Sequence, residues 1–201
     1  MKHTAPDIPG LKYRDSGNFL LIAGPCVVES EDIVFRIAER LVKLSDLYSI
    51  PFIFKSSYRK ANRSKADSFT GIGDIRALEI LAEVRKRFSV PVITDIHNPS
   101  EAGIAAGYVD VLQIPAFLCR QTDLLVAAGK TDRIVNIKKG QFLASWDAAH
   151  ILEKSAAADG RAYAGVKNPI STRHRVNRIR ALWRINGLVR VFLRVFIIIT
   201  P

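Results

Sequence analysis

An alternation constrains this chain more than any other feature. Strand-length apolar runs recur at Phe19–Ala23, Phe52–Phe54, Val90–Thr94, Val109–Ile114 and Ile134–Ile137. They are nearly continuous in apolar character, as expected of parallel strands covered on both faces. Amphipathic segments lie between them. Ile33, Ile37 and Leu41 fall on one helical face, with Ser30 as N-cap and Glu31 and Asp32 in the first turn. Ile75, Leu78 and Leu81 repeat the pattern, with Glu79, Glu83, Arg85 and Lys86 toward solvent. A short helix is expected near residues 99–106, another around Leu124, Leu125 and Ala128, and a fifth over about 145–155. Five strand–helix units predict an α/β fold with a parallel sheet and right-handed crossovers. A doubly wound sheet and a (β/α)8 barrel both fit. The first strand is followed by no G-x-G-x-x-G and the chain has no P-loop, which disfavours the nucleotide-binding version.

The pattern stops near residue 156. Residues 1–156 hold 21 basic and 18 acidic side chains, whereas 157–201 hold 9 basic and 1 acidic. Most of the formal charge of +11 therefore sits in the last 45 residues. Two segments are expected: 1–156 as the α/β part, and 157–201 as an atypical Arg-rich tail, read as a frameshifted or aberrant end. Such a tail raises nucleic acid or a membrane surface as alternative partners, through a basic helix from Arg173 to Arg194. No apolar stretch is long enough to span a bilayer as a helix. Two cysteines, Cys26 and Cys119, are too few for a disulfide framework, and with no secretory signal visible the expected location is cytoplasmic.

Ligands of parallel α/β folds bind beyond the carboxyl ends of the strands. The residues there are Gly24-Pro25-Cys26, then Lys55-Ser56-Ser57 and Lys60 to Ser64, Asp95 and His97, Gln113 with Pro115-Ala116 and Arg120, and Lys138. Polar groups reach one rim five times in succession, and Lys55, Lys60, Arg63, Arg120 and Lys138 give it a positive sign. This set suits a ligand bearing phosphate or carboxylate groups. By spacing alone Cys26 belongs to no local metal motif and reads as a small buried hydrophobe; Cys119 reads as structural.

Four strings carry a family resemblance. They are Ala23-Gly-Pro-Cys-Val-Val-Glu-Ser30, Phe54-Lys-Ser-Ser-Tyr-Arg-Lys-Ala-Asn-Arg-Ser64, Leu112-Gln-Ile-Pro-Ala-Phe-Leu-Cys-Arg-Gln-Thr-Asp123 and Val135-Asn-Ile-Lys-Lys-Gly-Gln-Phe142. They resemble 3-deoxy-D-manno-octulosonate 8-phosphate synthases, over about residues 11 to 155. The sister 3-deoxy-heptulosonate 7-phosphate synthases share the Gly-Pro-Cys opening but typically carry a Lys-Pro-Arg-Thr type segment where this chain has Lys-Ala-Asn-Arg-Ser.

The resemblance implies a (β/α)8 barrel, here incomplete with about five βα units. It implies condensation of phosphoenolpyruvate with D-arabinose 5-phosphate by a cytoplasmic homotetramer that supplies lipopolysaccharide synthesis, with no nucleic-acid or membrane partner. Lys55, Lys60 and Lys138 would hold phosphoenolpyruvate, with Gln113 and Ala116 lining that site. Asn62, Arg63 and Ser64 would bind arabinose 5-phosphate, with Ser57 among the substrate-binding residues. Arg120 would reach a sugar phosphate across a subunit boundary, and Asp95 and His97 would sit near the aldehyde. Members with Cys at position 26 are the metal-dependent type, so Cys26 would be one ligand of a divalent metal. The family's remaining ligands and its Glu-Arg-Gly segment are not found after residue 156. The 201-residue polypeptide is therefore expected to be nearly inactive, and to expose an open apolar sheet edge.

Overall fold

The structure is a computed structural model. It describes residues 8–61, 65, 67–141, 143, 150–151 and 154–155, and the backbone of 184–185, 189–190 and 196–198. Five strands alternate with four helices: β1 (Leu20–Ala23), α1 (Glu31–Tyr48), β2 (Phe52–Lys55), α2 (Asp74–Phe88), β3 (Val92–Asp95), α3 (Pro99–Ala106), β4 (Val111–Ile114), α4 (Thr122–Gly129) and β5 (Ile134–Ile137). Three short strands follow: β6 (Arg184–Ile185), β7 (Val189–Arg190) and β8 (Phe196–Ile198). The chain divides into two compact units, Met1–Val92 with Val176–Pro201, and Ile93–Arg175.

In the first unit β1 pairs in parallel with β2, Leu21 opposite Phe52 and Ala23 opposite Phe54. The crossover helix α1 starts where the sequence predicts. The Ser30 hydroxyl accepts from the Ile33 N–H at 3.4 Å, and Glu31 and Asp32 occupy the positive end of the helix. The helix stops at Ser49, whose left-handed backbone (φ 52°) turns its N–H back to the Ser45 and Asp46 carbonyls. Asn18 then donates to the Tyr48 and Ser49 carbonyls, both at 3.1 Å. The buried face of α1 is Val34, Ile37, Ala38, Leu41 and Ser45. It is centred one position later than the Ile33–Ile37–Leu41 stripe, because a helix turns 100° per residue and Val34 points more squarely at the sheet.

On α2 the buried set is Ala77, Leu78, Ile80, Leu81 and Val84. Ile75 lies outside it and is 49% exposed. At 100° per residue Ile75 falls on the side of the helix opposite Val84. Glu79, Glu83, Arg85 and Lys86 face solvent as expected.

In the second unit β3, β4 and β5 run parallel, with Asp95 opposite Gln113 and Gln113 opposite Asn136. Asn98 caps α3 through the Ser100 N–H at 3.1 Å, with Pro99 at the first helical position. Leu124, Leu125 and Ala128 of α4 are buried as predicted. Of the fifth expected helix only His150, Ile151, Lys154 and Ser155 are described, and all four are helical.

On the β1 side the expected open edge is covered by a strand. β8 pairs antiparallel with β1, Leu20 opposite Ile198 and Ile22 opposite Phe196. A free edge offers unpaired N–H and C=O groups, and an apolar segment of high β-propensity satisfies them. Among the described strands, β5 has β4 as its single neighbour.

Candidate functional site

Two polar groups stand beyond the strand ends, one in each unit. The first is built on a tight contact between the loop after β1 and the end of β2. A Cβ added to Gly24 would overlap the Lys55 carbonyl oxygen, so only glycine lets the two backbones come this close. Just beyond, Val27 bridges to Ser57, and the Val28 N–H donates to the Ser57 carbonyl at 3.0 Å. This frame buries Lys55, Ser56 and Ser57. Lys60 is anchored through its own N–H to the Thr70 carbonyl at 2.8 Å. Beside it, Arg59 pairs with Asp74 at 2.9 Å.

The two ammonium groups meet at one atom. Lys55 Nζ and Lys60 Nζ each donate to Ser57 Oγ at 2.8 Å. At an effective dielectric of ~20, two unit charges ~5 Å apart repel by about 3 kcal/mol. A carboxylate or phosphate beside Ser57 would be drawn by both charges.

The second group follows the register of β3, β4 and β5. Gln113 Nε2 donates to Asp95 Oδ1 at 2.6 Å, and Asn136 Nδ2 donates to Gln113 Oε1 at 2.9 Å. Lys138, whose N–H continues the ladder to the Ile114 carbonyl, places Nζ 3.4 Å from the same Asp95 oxygen. Asp95 and Gln113 are buried. This row contains both a carboxylate and a cation. Lys139 is turned elsewhere and donates to the Gly140 and Leu143 carbonyls. His97 is fixed by Glu101, which accepts from the His97 N–H at 2.7 Å and lies 3.4 Å from Nδ1.

The structure thus joins Lys55, Ser57 and Lys60 in one unit, and Asp95, Gln113 and Lys138 in the other. Ala116 opens a short 3-10 turn (Ala116–Leu118), and Arg120 just after it is exposed. Asn62, Arg63 and Ser64 lie outside the described residues, as do the side chains of the Arg-rich tail. Cys119 is buried, as expected, but Cys26 is half-exposed rather than a core residue, because it follows the Gly24-Pro25 turn. Among the described residues no group of three or more His, Cys, Asp and Glu side chains is placed to hold a metal. The described residues around Cys26 therefore do not form a metal site, since one thiolate does not bind a divalent ion tightly. Asn136 and Glu101 were missed from sequence. Asn136 had a signal: a polar residue breaks an apolar run two positions before Lys138.

Residues 12–180 match the DAHP synthetase I family. The chain belongs to that family. The DAHP synthetase I family folds as a TIM barrel, and the five strands alternating with four helices described here match part of one. A protein of Cyanothece sp. named 2-dehydro-3-deoxyphosphooctonate aldolase is 51% identical over 146 residues, covering 73% of this chain and 54% of the relative. One of Rickettsia typhi with the same name is 51% identical over 147 residues, with coverages of 73% and 54%. One of Trichlorobacter lovleyi, also so named, is 53% identical over 151 residues, with coverages of 75% and 56%. The chain spans about half the length of the curated relatives it matches. These relatives bear out the resemblance to the octulosonate 8-phosphate synthases. Among the described residues, no helix is long and apolar enough to cross a membrane.

Proposed function

We propose that the chain carries the anion-holding part of a synthase that condenses phosphoenolpyruvate with D-arabinose 5-phosphate. The products would be 3-deoxy-D-manno-octulosonate 8-phosphate and inorganic phosphate, a step toward lipopolysaccharide made in the cytoplasm. The convergence of Lys55 and Lys60 on Ser57 Oγ carries this reading. In the reaction the enol carbon of phosphoenolpyruvate attacks the aldehyde, and water adds to the neighbouring carbon. The substrate brings a carboxylate and a phosphate ester, and charge moves between them. Fixed ammonium groups in a buried frame hold that charge without reorganising.

Roles for Lys138, Gln113 and Ala116 at phosphoenolpyruvate rest on the family relation alone. So do roles for Asp95 and His97 near the aldehyde, for Asn62, Arg63, Ser64 and Arg120 at the sugar phosphate, and for Cys26 toward a divalent metal. The homotetramer is proposed on the same ground. Turnover by these 201 residues alone is proposed to be slight, because the family's Glu-Arg-Gly segment is not found in the sequence.

The test uses the purified 201-residue chain. Phosphoenolpyruvate is titrated in, followed by arabinose 5-phosphate or erythrose 4-phosphate. Phosphoenolpyruvate should bind, and arabinose 5-phosphate should bind the loaded chain more tightly than erythrose 4-phosphate. Preference for erythrose 4-phosphate would move the assignment to the sister synthases. Equal phosphoenolpyruvate affinity in the intact chain, Lys55→Met and Lys60→Met would remove the proposal.

A further inference from the structure

We propose that Phe196–Ile198 is an intramolecular edge strand that holds the β1 edge closed against a second copy of this chain. The direction of the β1 amides carries the argument. The Leu21 N–H donates to the Pro51 carbonyl at 2.8 Å, on the β2 side. Successive N–H groups of a strand point to opposite edges, so Leu20 and Ile22 direct theirs away from β2. That is the edge on which β8 lies, with Ile198 opposite Leu20 and Phe196 opposite Ile22. In an antiparallel ladder these two positions are the hydrogen-bonded pairs, and Leu21–Ile197 is the non-hydrogen-bonded pair between them.

Both partners are sticky by composition. β1 reads Leu-Leu-Ile-Ala. The tail reads Val191-Phe-Leu-Arg-Val-Phe-Ile-Ile-Ile199, with β-branched and aromatic residues and no proline. Such segments pair with any exposed edge they meet. Occupied from within, the β1 edge is withheld from other molecules. Once vacated, it offers a second copy the same two donors, and the released tail offers a complementary strand. The surface is therefore an interaction site for an extended apolar strand, and its occupant is this chain's own residues 196–198.

The experiment compares the full chain with the Phe196→Pro/Ile198→Pro double variant. Proline removes the two tail N–H groups that face β1 and leaves β1 itself unchanged. Amide exchange is followed residue by residue, and molar mass is read by light scattering. In the intact chain Leu20 and Ile22 should be protected. In the double variant their exchange should quicken by ~10-fold or more, while Leu21 stays protected by Pro51 and so reports that the unit is still folded. Molar mass should rise in the variant. A synthetic peptide of residues 189–201 should restore both protection and mass. Free exchange of Leu20 and Ile22 in the intact chain, or unchanged exchange in the variant, would overturn the strand assignment. Lost protection with unchanged mass would overturn the role against self-pairing.

Discussion

The two polar groups differ in how their charge is balanced. Around Ser57 two lysines approach a neutral hydroxyl. Around Asp95 a carboxylate accepts from Gln113 and lies by Lys138, and Asn136 extends the chain of donors. The first arrangement concentrates positive charge, and burial of Lys55 makes that charge costly unless an anion or other acceptors answer it. The second links three strand ends through its hydrogen bonds. On the proposed reading the Ser57 group answers to an anionic ligand, while the contacts among Asp95, Gln113, Asn136 and Lys138 also tie three strand ends together. Substitutions in the first should therefore change affinity more than stability, and Asp95→Ala and Asn136→Ala in the second should cost stability.

The largest effect is expected where the comparison has its backbone root. Gly24→Ala drives a Cβ into the Lys55 carbonyl, so the β1 loop and the end of β2 must separate. A cost of about 3 kcal/mol or more is expected, seen as a lower Tm together with lost phosphoenolpyruvate binding. Next come the lysines. Lys55→Met should weaken phosphoenolpyruvate by ~10–100-fold, and the half-buried Lys60→Met by ~10-fold, as loss of charge-assisted bonds predicts; calorimetric titration reads both. Their denaturation midpoints should move little.

On the other side, Asp95→Ala strands the Gln113 amide and removes the counter-charge of Lys138. It should cost about 2–3 kcal/mol in urea unfolding, with Asp95→Asn recovering part because it keeps an acceptor. Asn136→Ala removes one donor at the end of the row and should cost about 1 kcal/mol.

The smallest effect lies outside both groups. Lys43 donates to Glu39 at 2.8 Å and holds its carboxyl below the usual range. A depressed folded pKa gives stability that is present above the unfolded value and is lost as pH falls through the folded one. On this exposed helix face the effect is slight and screened by salt. An NMR titration should place Glu39 below its ordinary value in the intact chain and return it there in Lys43→Ala.

Much of this was legible because it depends on local pattern. The Ser30 cap, the β5 bounds and the buried face of α4 follow from residues close in sequence. Lys55, Lys60, Asp95, Gln113 and Lys138 could be named because each follows or ends a parallel strand, where such folds collect their polar groups. The particular partners were not legible. That Ser57 is the shared acceptor depends on a loop closing back by three residues, and Asn136 joins Gln113 only through the β4–β5 register. Glu101 reaches His97 from the first turn of α3, a side-chain choice that spacing permits but does not require. The pairing of β8 with β1 joins residues far apart in sequence, which no local pattern encodes.

The central claim is that the Ser57 group is organised for an anionic ligand. Calorimetric titration of phosphoenolpyruvate into the intact chain, Lys55→Met and Asn136→Ala tests it most directly. The account predicts saturable binding to the intact chain, ~10–100-fold weaker binding to Lys55→Met, and nearly unchanged affinity in Asn136→Ala. Absence of binding to the intact chain, or equal affinity in the intact chain and Lys55→Met, would contradict it.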